Sequence, residues 1–208
     1  TKGASYASDD KRQAITRTRQ AETNAALAVL GIKPAQFWAI PDRSLVLDDA
    51  WHQRLQAQLQ GVDLVFAPSV SEVHPDHAAT GRAILWAAQS LAQQNQQPPE
   101  ILFYEVGAPL APNFLLDISP VWPQKKRAMQ CFESQQAAQD YARHIEGLNT
   151  FRTYSLNAQV THAEAYRRVS AADLSEQATA LLDRAHAWDA NLLNKVEADY
   201  ERMQADWG

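Results

Sequence analysis

The stretch Val73 to Thr80 reads VHPDHAAT and brings two histidines and a carboxylate into four consecutive residues, His74 to His77. Imidazoles hold divalent metals or carry protons near neutral pH, and a carboxylate beside one fixes its tautomer and raises its pKa. His74 and His77 stand three apart, on one side of what reads as a first helical turn. A helix N-terminus disfavours an imidazolium, so His77 is expected to stay neutral, with a lone pair for a metal. Asp76 would hydrogen-bond His74 and leave it able to carry a proton toward a developing oxyanion. A plainer reading uses the same letters. Proline suits the first helical position, and an acid after it complements the positive helix end. On local chemistry alone a metal site and a capped helix start both stay open.

The elements around the motif favour a site. Asp63 to Ala67 is a nearly continuous apolar run closed by Pro68 and Ser69, the pattern of a strand covered on both faces. Ligands in open α/β sheets gather at the carboxyl ends of such strands. Helical spacing follows the motif through Ile84, Ala87, Ala88 and Leu91, and Ile101 to Tyr104 reads as the next strand. Upstream, a helix is expected from Asp9 or Asp10 to Leu30, ended by Gly31, then a strand at Gln36 to Ile40 and a helix over Asp49 to Gln60. Downstream, a short strand at Phe114 to Ile118 precedes helices over 121–132 and 135–148. This alternation predicts an α/β fold, Rossmann-like, with a mostly parallel sheet and helices on both faces. From Asp173 to Trp207, apolar residues recur at threes and fours, predicting an amphipathic helix roughly 50 Å long at about 1.5 Å per residue. A domain over 1–170 with a helical extension over 171–208 is the expected organisation, that helix either packing back along the domain or overhanging it as a surface for a homo-oligomer.

Composition narrows the functions. A net charge of −5 gives no basic stripe for nucleic acid. No apolar run approaches the ~20 residues of a membrane span. The lone Cys131 excludes an internal disulfide framework and suits a reducing, cytoplasmic compartment; it reads as a small core residue of the helix from 121. His52, His144, His162 and His186 have no ligand-spaced carboxylate partner and read as surface residues.

With HPDH after a strand, the sequence resembles the PIG-L/LmbE family of zinc-dependent N-deacetylases. The resemblance is carried by Arg19-Gln20-Ala21-Glu22 with Leu30-Gly31, by Ile40-Pro41-Asp42 and by His74 to His77. It continues through Asp117-Ile118-Ser119, Lys125, Ser134-Gln135 and Ala163-Glu164-Ala165-Tyr166-Arg167, as far as about residue 170. It implies hydrolysis of the acetamide of an N-acetylglucosamine-type sugar or glycoconjugate, with Zn2+ or another divalent metal as cofactor. His77 would be a metal ligand, His74 would stabilise the tetrahedral intermediate with Asp76 orienting it, and Arg19 and Asp42 would face the sugar. Bland alternatives for the last two are a helix-surface pair with Glu22 and a plain turn.

Two departures accompany the resemblance. Phe132 stands where the family often has histidine before Ser-Gln. No AHPDDE segment, the family's source of two further ligands and the general base, occurs in these residues; Asp9-Asp10 lacks a preceding His-Pro, and Asp48-Asp49 reads as a helix cap. The expectation is a natural protein longer than these residues, with a signal peptide or anchor open upstream. The rival expectation is a catalytically decayed carbohydrate-binding or scaffolding protein on the same fold.

Overall fold

A computed structural model describes residues 9–42, 44–45, 48–174, 177–178 and 180–181. The first helix, α1 (Asp9–Val29), ends in a Schellman turn: Gly31 takes φ +71°, Gly31 N–H donates to Ala28 O and Ile32 N–H to Leu27 O. Helix α2 (Asp49–Leu59) is capped by Asp48, whose carboxylate accepts from Trp51 N–H at 2.8 Å, the capping role its sequence suggested. Strand β1 (Leu64–Pro68), helix α3 (Pro75–Gln93) and strand β2 (Glu100–Tyr104) then form one βαβ unit, with β1 and β2 parallel and Phe66 opposite Leu102. Strand β3 (Phe114–Asp117), helices α4 (Trp122–Gln130), α5 (Glu133–Gln136) and α6 (Tyr141–Phe151), and strand β4 (Ala163–Val169) complete the order.

The sheet order is β1-β2-β4-β3, and β4 runs antiparallel to β2, with Phe103 opposite Arg167. This corrects the expectation of a mostly parallel sheet. Among the described residues only β1 and β2 are joined by a crossover helix, whereas β4 returns beside β2 from the helical stretch in the opposite sense and makes the sheet mixed. The strand expected at 36–40 is absent. Ala39 takes φ +55°, a left-handed conformation that breaks an extended run between Pro34 and Pro41. Of the expected helix from 173 to 207, Leu174, Gln177, Ala178, Ala180 and Leu181 are helical; residues 175, 176, 179 and 182–207 lie outside the described residues.

The described residues fall into two compact units, one within 1–44 and 115–165, the other within 45–114 and 166–208. In the second unit α3 packs on β1 and α2 on α3. Leu85 and Leu91 of α3 and Ile101 and Phe103 of β2 are almost wholly withdrawn from water, each worth about 1.5–3 kcal/mol relative to exposure. Gly81 lets α3 come close to the end of β1: a Cβ there would lie 2.4 Å from Pro68 O. The other face of β1 is open, with Leu64 43% and Phe66 52% exposed, so this strand is covered on one face and not on both. His52 stacks on Trp86 with centroids 3.8 Å apart.

In the first unit α1 packs on α4 and α5, and α6 on α4 and α5. The helix expected over 135–148 is divided, α5 stopping early and α6 starting afresh behind Asp140, whose carboxylate accepts from Arg143 N–H at 3.2 Å. Cys131 ends α4 half-buried, not in the core. His162 lies flat on Trp122, centroids 4.0 Å apart and 8° from parallel. Partial burial holds its pKa below the usual histidine value, with Glu146 opposing and Lys125 and Lys126 assisting.

Candidate functional site

The chain from the end of β1 to the start of α3 forms the candidate site. His74 is the N-cap of α3, and its Nδ1 accepts from Asp76 N–H at 3.3 Å. Helix-start chemistry and site chemistry therefore use the same residue. An Nδ1 that accepts a hydrogen bond carries no proton, so neutral His74 has its hydrogen on Nε2 and presents a donor there. Pro75 occupies the first turn, and the Asp76 acid sits at the positive helix end. A His74 ring nitrogen and an Asp76 carboxylate oxygen lie within 4.8 Å of each other, both residues half-buried. The His77 ring stands 4.8 Å from that of His74, centroid to centroid, and its Nδ1 is buried. Thr80 Oγ1 donates to Asp76 O at 2.7 Å and ties the second turn to the first.

Beneath the motif lies a residue that sequence reasoning missed. Glu72 is 3% exposed, and its carboxylate accepts from Val106 N–H at 2.7 Å and from Gly107 N–H at 2.9 Å. It fastens the loop after β2 to the segment that carries His74. Tyr104, at the end of β2, has its pKa pushed up by burial and, second, by the Glu72 charge. Nothing local in Ser71-Glu72-Val73 announces this; an acid in a loop reads as solvated until a distant backbone is known to meet it.

The remaining candidates belong to the first unit. Arg19 lies on α1 with its guanidinium against Gln135, whose amide oxygen can accept from Nε at 3.0 Å and from a terminal nitrogen at 3.3 Å. Glu22, one turn on, accepts from Ser134 N–H and Ser134 Oγ–H, each at 2.7 Å. Arg19-x-x-Glu22 and Ser134-Gln135 thus meet as two halves of one clasp between α1 and α5. Lys125 Nζ donates to Asn149 Oδ1 at 2.8 Å and pairs with Glu164. Asp117 accepts from Ser119 N–H at 2.8 Å, and hydrogen bonding to Ser119 holds its carboxyl below the usual range. Asp42 is exposed in the turn after Pro41, where Ser44 Oγ–H donates to Pro41 O.

The His74 to His77 segment suits a metal by its donor chemistry: imidazole nitrogens with a carboxylate beside them. Among the described residues no helix is long and apolar enough to cross a membrane.

Three solved structures share the fold. Similarity extends to a 4-carboxy-2-hydroxymuconate hydratase, GalB, from Pseudomonas putida KT2440, at 21% identity and TM-score 0.66, covering 82% of this chain and 78% of that one. A conserved protein, TT1542, from Thermus thermophilus gives 26% identity and TM-score 0.60, covering 73% and 72%. The N,N'-diacetylchitobiose deacetylase from Pyrococcus horikoshii gives 20% identity and TM-score 0.65, covering 78% and 67%. The PIG-L family, described as GlcNAc-PI de-N-acetylase, matches over residues 1–88. The matched residues hold the Arg19-x-x-Glu22, Pro41-Asp42 and His74 to His77 stretches.

Proposed function

We propose that the protein is a metal-dependent, deacetylase-type hydrolase that removes the N-acetyl group from an amino sugar or glycoconjugate. The family match over 1–88 and the deacetylase among the structural neighbours support the reaction class. One observation carries the reading: His74 Nδ1 is engaged by Asp76 N–H at 3.3 Å, which leaves Nε2–H as a fixed donor at the carboxyl end of β1.

His77 would hold the metal, with the Asp76 carboxylate at hand; a catalytic zinc takes about three protein ligands and keeps a position for water. When bound, the metal lowers the pKa of its water and polarises the scissile carbonyl. The rest falls to the chain's own groups. His74 Nε2–H donates to the oxygen on which negative charge develops. The Asp76 N–H, bonded to Nδ1, keeps the ring from turning, and the Asp76 carboxylate stands near it. Glu72 holds the neighbouring loop in place, so neither ring must reorganise as charge develops.

The test separates metal holding from proton chemistry. In the zinc-loaded protein, His77→Ala is expected to lose bound metal by elemental analysis and turnover together. His74→Ala is expected to retain metal and to lose about 10²–10³-fold in acetate release from N-acetylglucosamine conjugates. Full turnover in His77→Ala would overturn the assignment. The hydratase similarity favours a second reading on the same groups, addition of water to an unsaturated acid; consumption of such an acid without acetate release would select it.

A further inference from the structure

A cavity of about 220 Å3 opens in the second unit, walled by the loops after β1 and β2, by β4 and by Leu181. Its polar wall is Ser69, Ser71 and Arg167, and among the described residues no acid lines it. Ser69 Oγ accepts from Ser71 N–H at 3.2 Å, which leaves the hydroxyl hydrogen to donate elsewhere. Arg167 gives one terminal N–H to Gln177 at 3.2 Å, while its Nε is buried with no hydrogen-bond partner. Native structures seldom leave such a donor unmet, because the buried group forfeits its water without a replacement. The rest of the wall is apolar, including Phe103, Leu110 and Leu181, and the strand register sets Arg167 directly opposite Phe103.

A guanidinium and two serine hydroxyls with no acid beside them among the described residues select an anion, and the apolar wall selects what the anion is attached to. We propose that this cavity binds a small monocarboxylate with a compact hydrocarbon body, its carboxylate on Arg167 and the two serines and its body against Phe103. The planar guanidinium matches a carboxylate's two oxygens. A phosphate dianion would fill the space with charge that one arginine cannot balance and leave the apolar wall without a partner. Size agrees: an apolar cavity of about 150 Å3 takes benzene, so this one has room for a benzoate-sized acid. None of His74, Asp76 and His77 lines the cavity, and the inference stands whether or not the deacetylase reading does.

Titration calorimetry on the purified protein tests it, with sodium benzoate, sodium hexanoate, benzamide and inorganic phosphate as probes. Saturable binding of the two carboxylates is expected, with benzamide and phosphate weaker by at least about tenfold. Arg167→Gln should weaken benzoate by at least about tenfold. Ala111→Trp, at an exposed residue of the lining, should block it while leaving the circular dichroism unchanged. If Arg167→Gln does not fold, the Ala111→Trp comparison decides alone. Equal binding of benzoate and benzamide, unchanged benzoate affinity in the folded variants, or no saturation by any carboxylate would overturn the proposal.

Discussion

Glu72 keeps its carboxylate in the interior, where an anion without partners costs several kcal/mol, and the N–H groups of Val106 and Gly107 are what make it tolerable. Glu72→Gln conserves shape but turns one acceptor oxygen into an NH2 group that faces a peptide N–H. Charge-assisted bonds are lost and a donor is set against a donor, for about 2–3 kcal/mol. In a chain of this size each kcal/mol moves the melting temperature by about 2–4 °C. A lower melting temperature and faster hydrogen exchange at Val106 and Gly107 are expected; unchanged exchange at those two amides would show that the carboxylate does not hold the loop. At this scale, what was legible in the sequence was chemical type. His74, Asp76 and His77 announce themselves by identity and spacing, whereas Glu72 becomes informative only through residues 34 and 35 positions away. Arg19 and Glu22 fall between these cases. Their spacing suggested a pair on one helix, but their partners Ser134 and Gln135 lie over a hundred residues on.

Elements were legible where local rules and tertiary demands agree. The α1 end at Gly31, the Asp48 cap of α2 and the β1-α3-β2 unit all follow from turn chemistry and periodicity in the residues that build them. Expectation failed where the decisive partner was remote. Gln36 to Ile40 has strand-like residues but a left-handed Ala39, and β4, rich in Ala, Glu and Arg, is a strand because β2 gives it an edge to pair with. Two helical glycines put the same distinction to the test. Gly81→Ala gains helix propensity of up to about 1 kcal/mol, but its Cβ would meet Pro68 O at 2.4 Å, a backbone atom that no rotamer change can move aside. Overpacking of this kind costs about 1–3 kcal/mol, so the variant is expected to melt lower and to displace the segment before His74. Gly147→Ala on α6 has nothing within 4 Å of the new atom, so the propensity gain stands and it should melt about 1–3 °C higher. Thermal melts of the two variants side by side check the pair; shifts of the same sign would refute the contact argument.

For the molecule in solution, the decisive feature is the second unit's open sheet face beside an unpaired strand edge. Register puts Leu64 and Phe66 on one face of β1, Phe66 lies edge-on to Tyr166 at 5.7 Å, and among the described residues no strand pairs with the other side of β1. An apolar edge of this sort offers its peptide groups to a second copy of the same strand. The net charge of −5 opposes that encounter, though only across a Debye length, about 10 Å at 0.1 M salt. Apolar attraction is not screened, so salt should favour association. Sedimentation velocity is expected to show mass rising with protein concentration and rising further between low and moderate salt. Phe66→Glu sets a charge in the middle of the strand and makes each copy more negative. It gives up about 0.5–1.5 kcal/mol of contact with Tyr166, too little to unfold the chain, and should sediment as a monomer throughout. Identical profiles for the parent chain and Phe66→Glu would mean that this edge is not where copies meet.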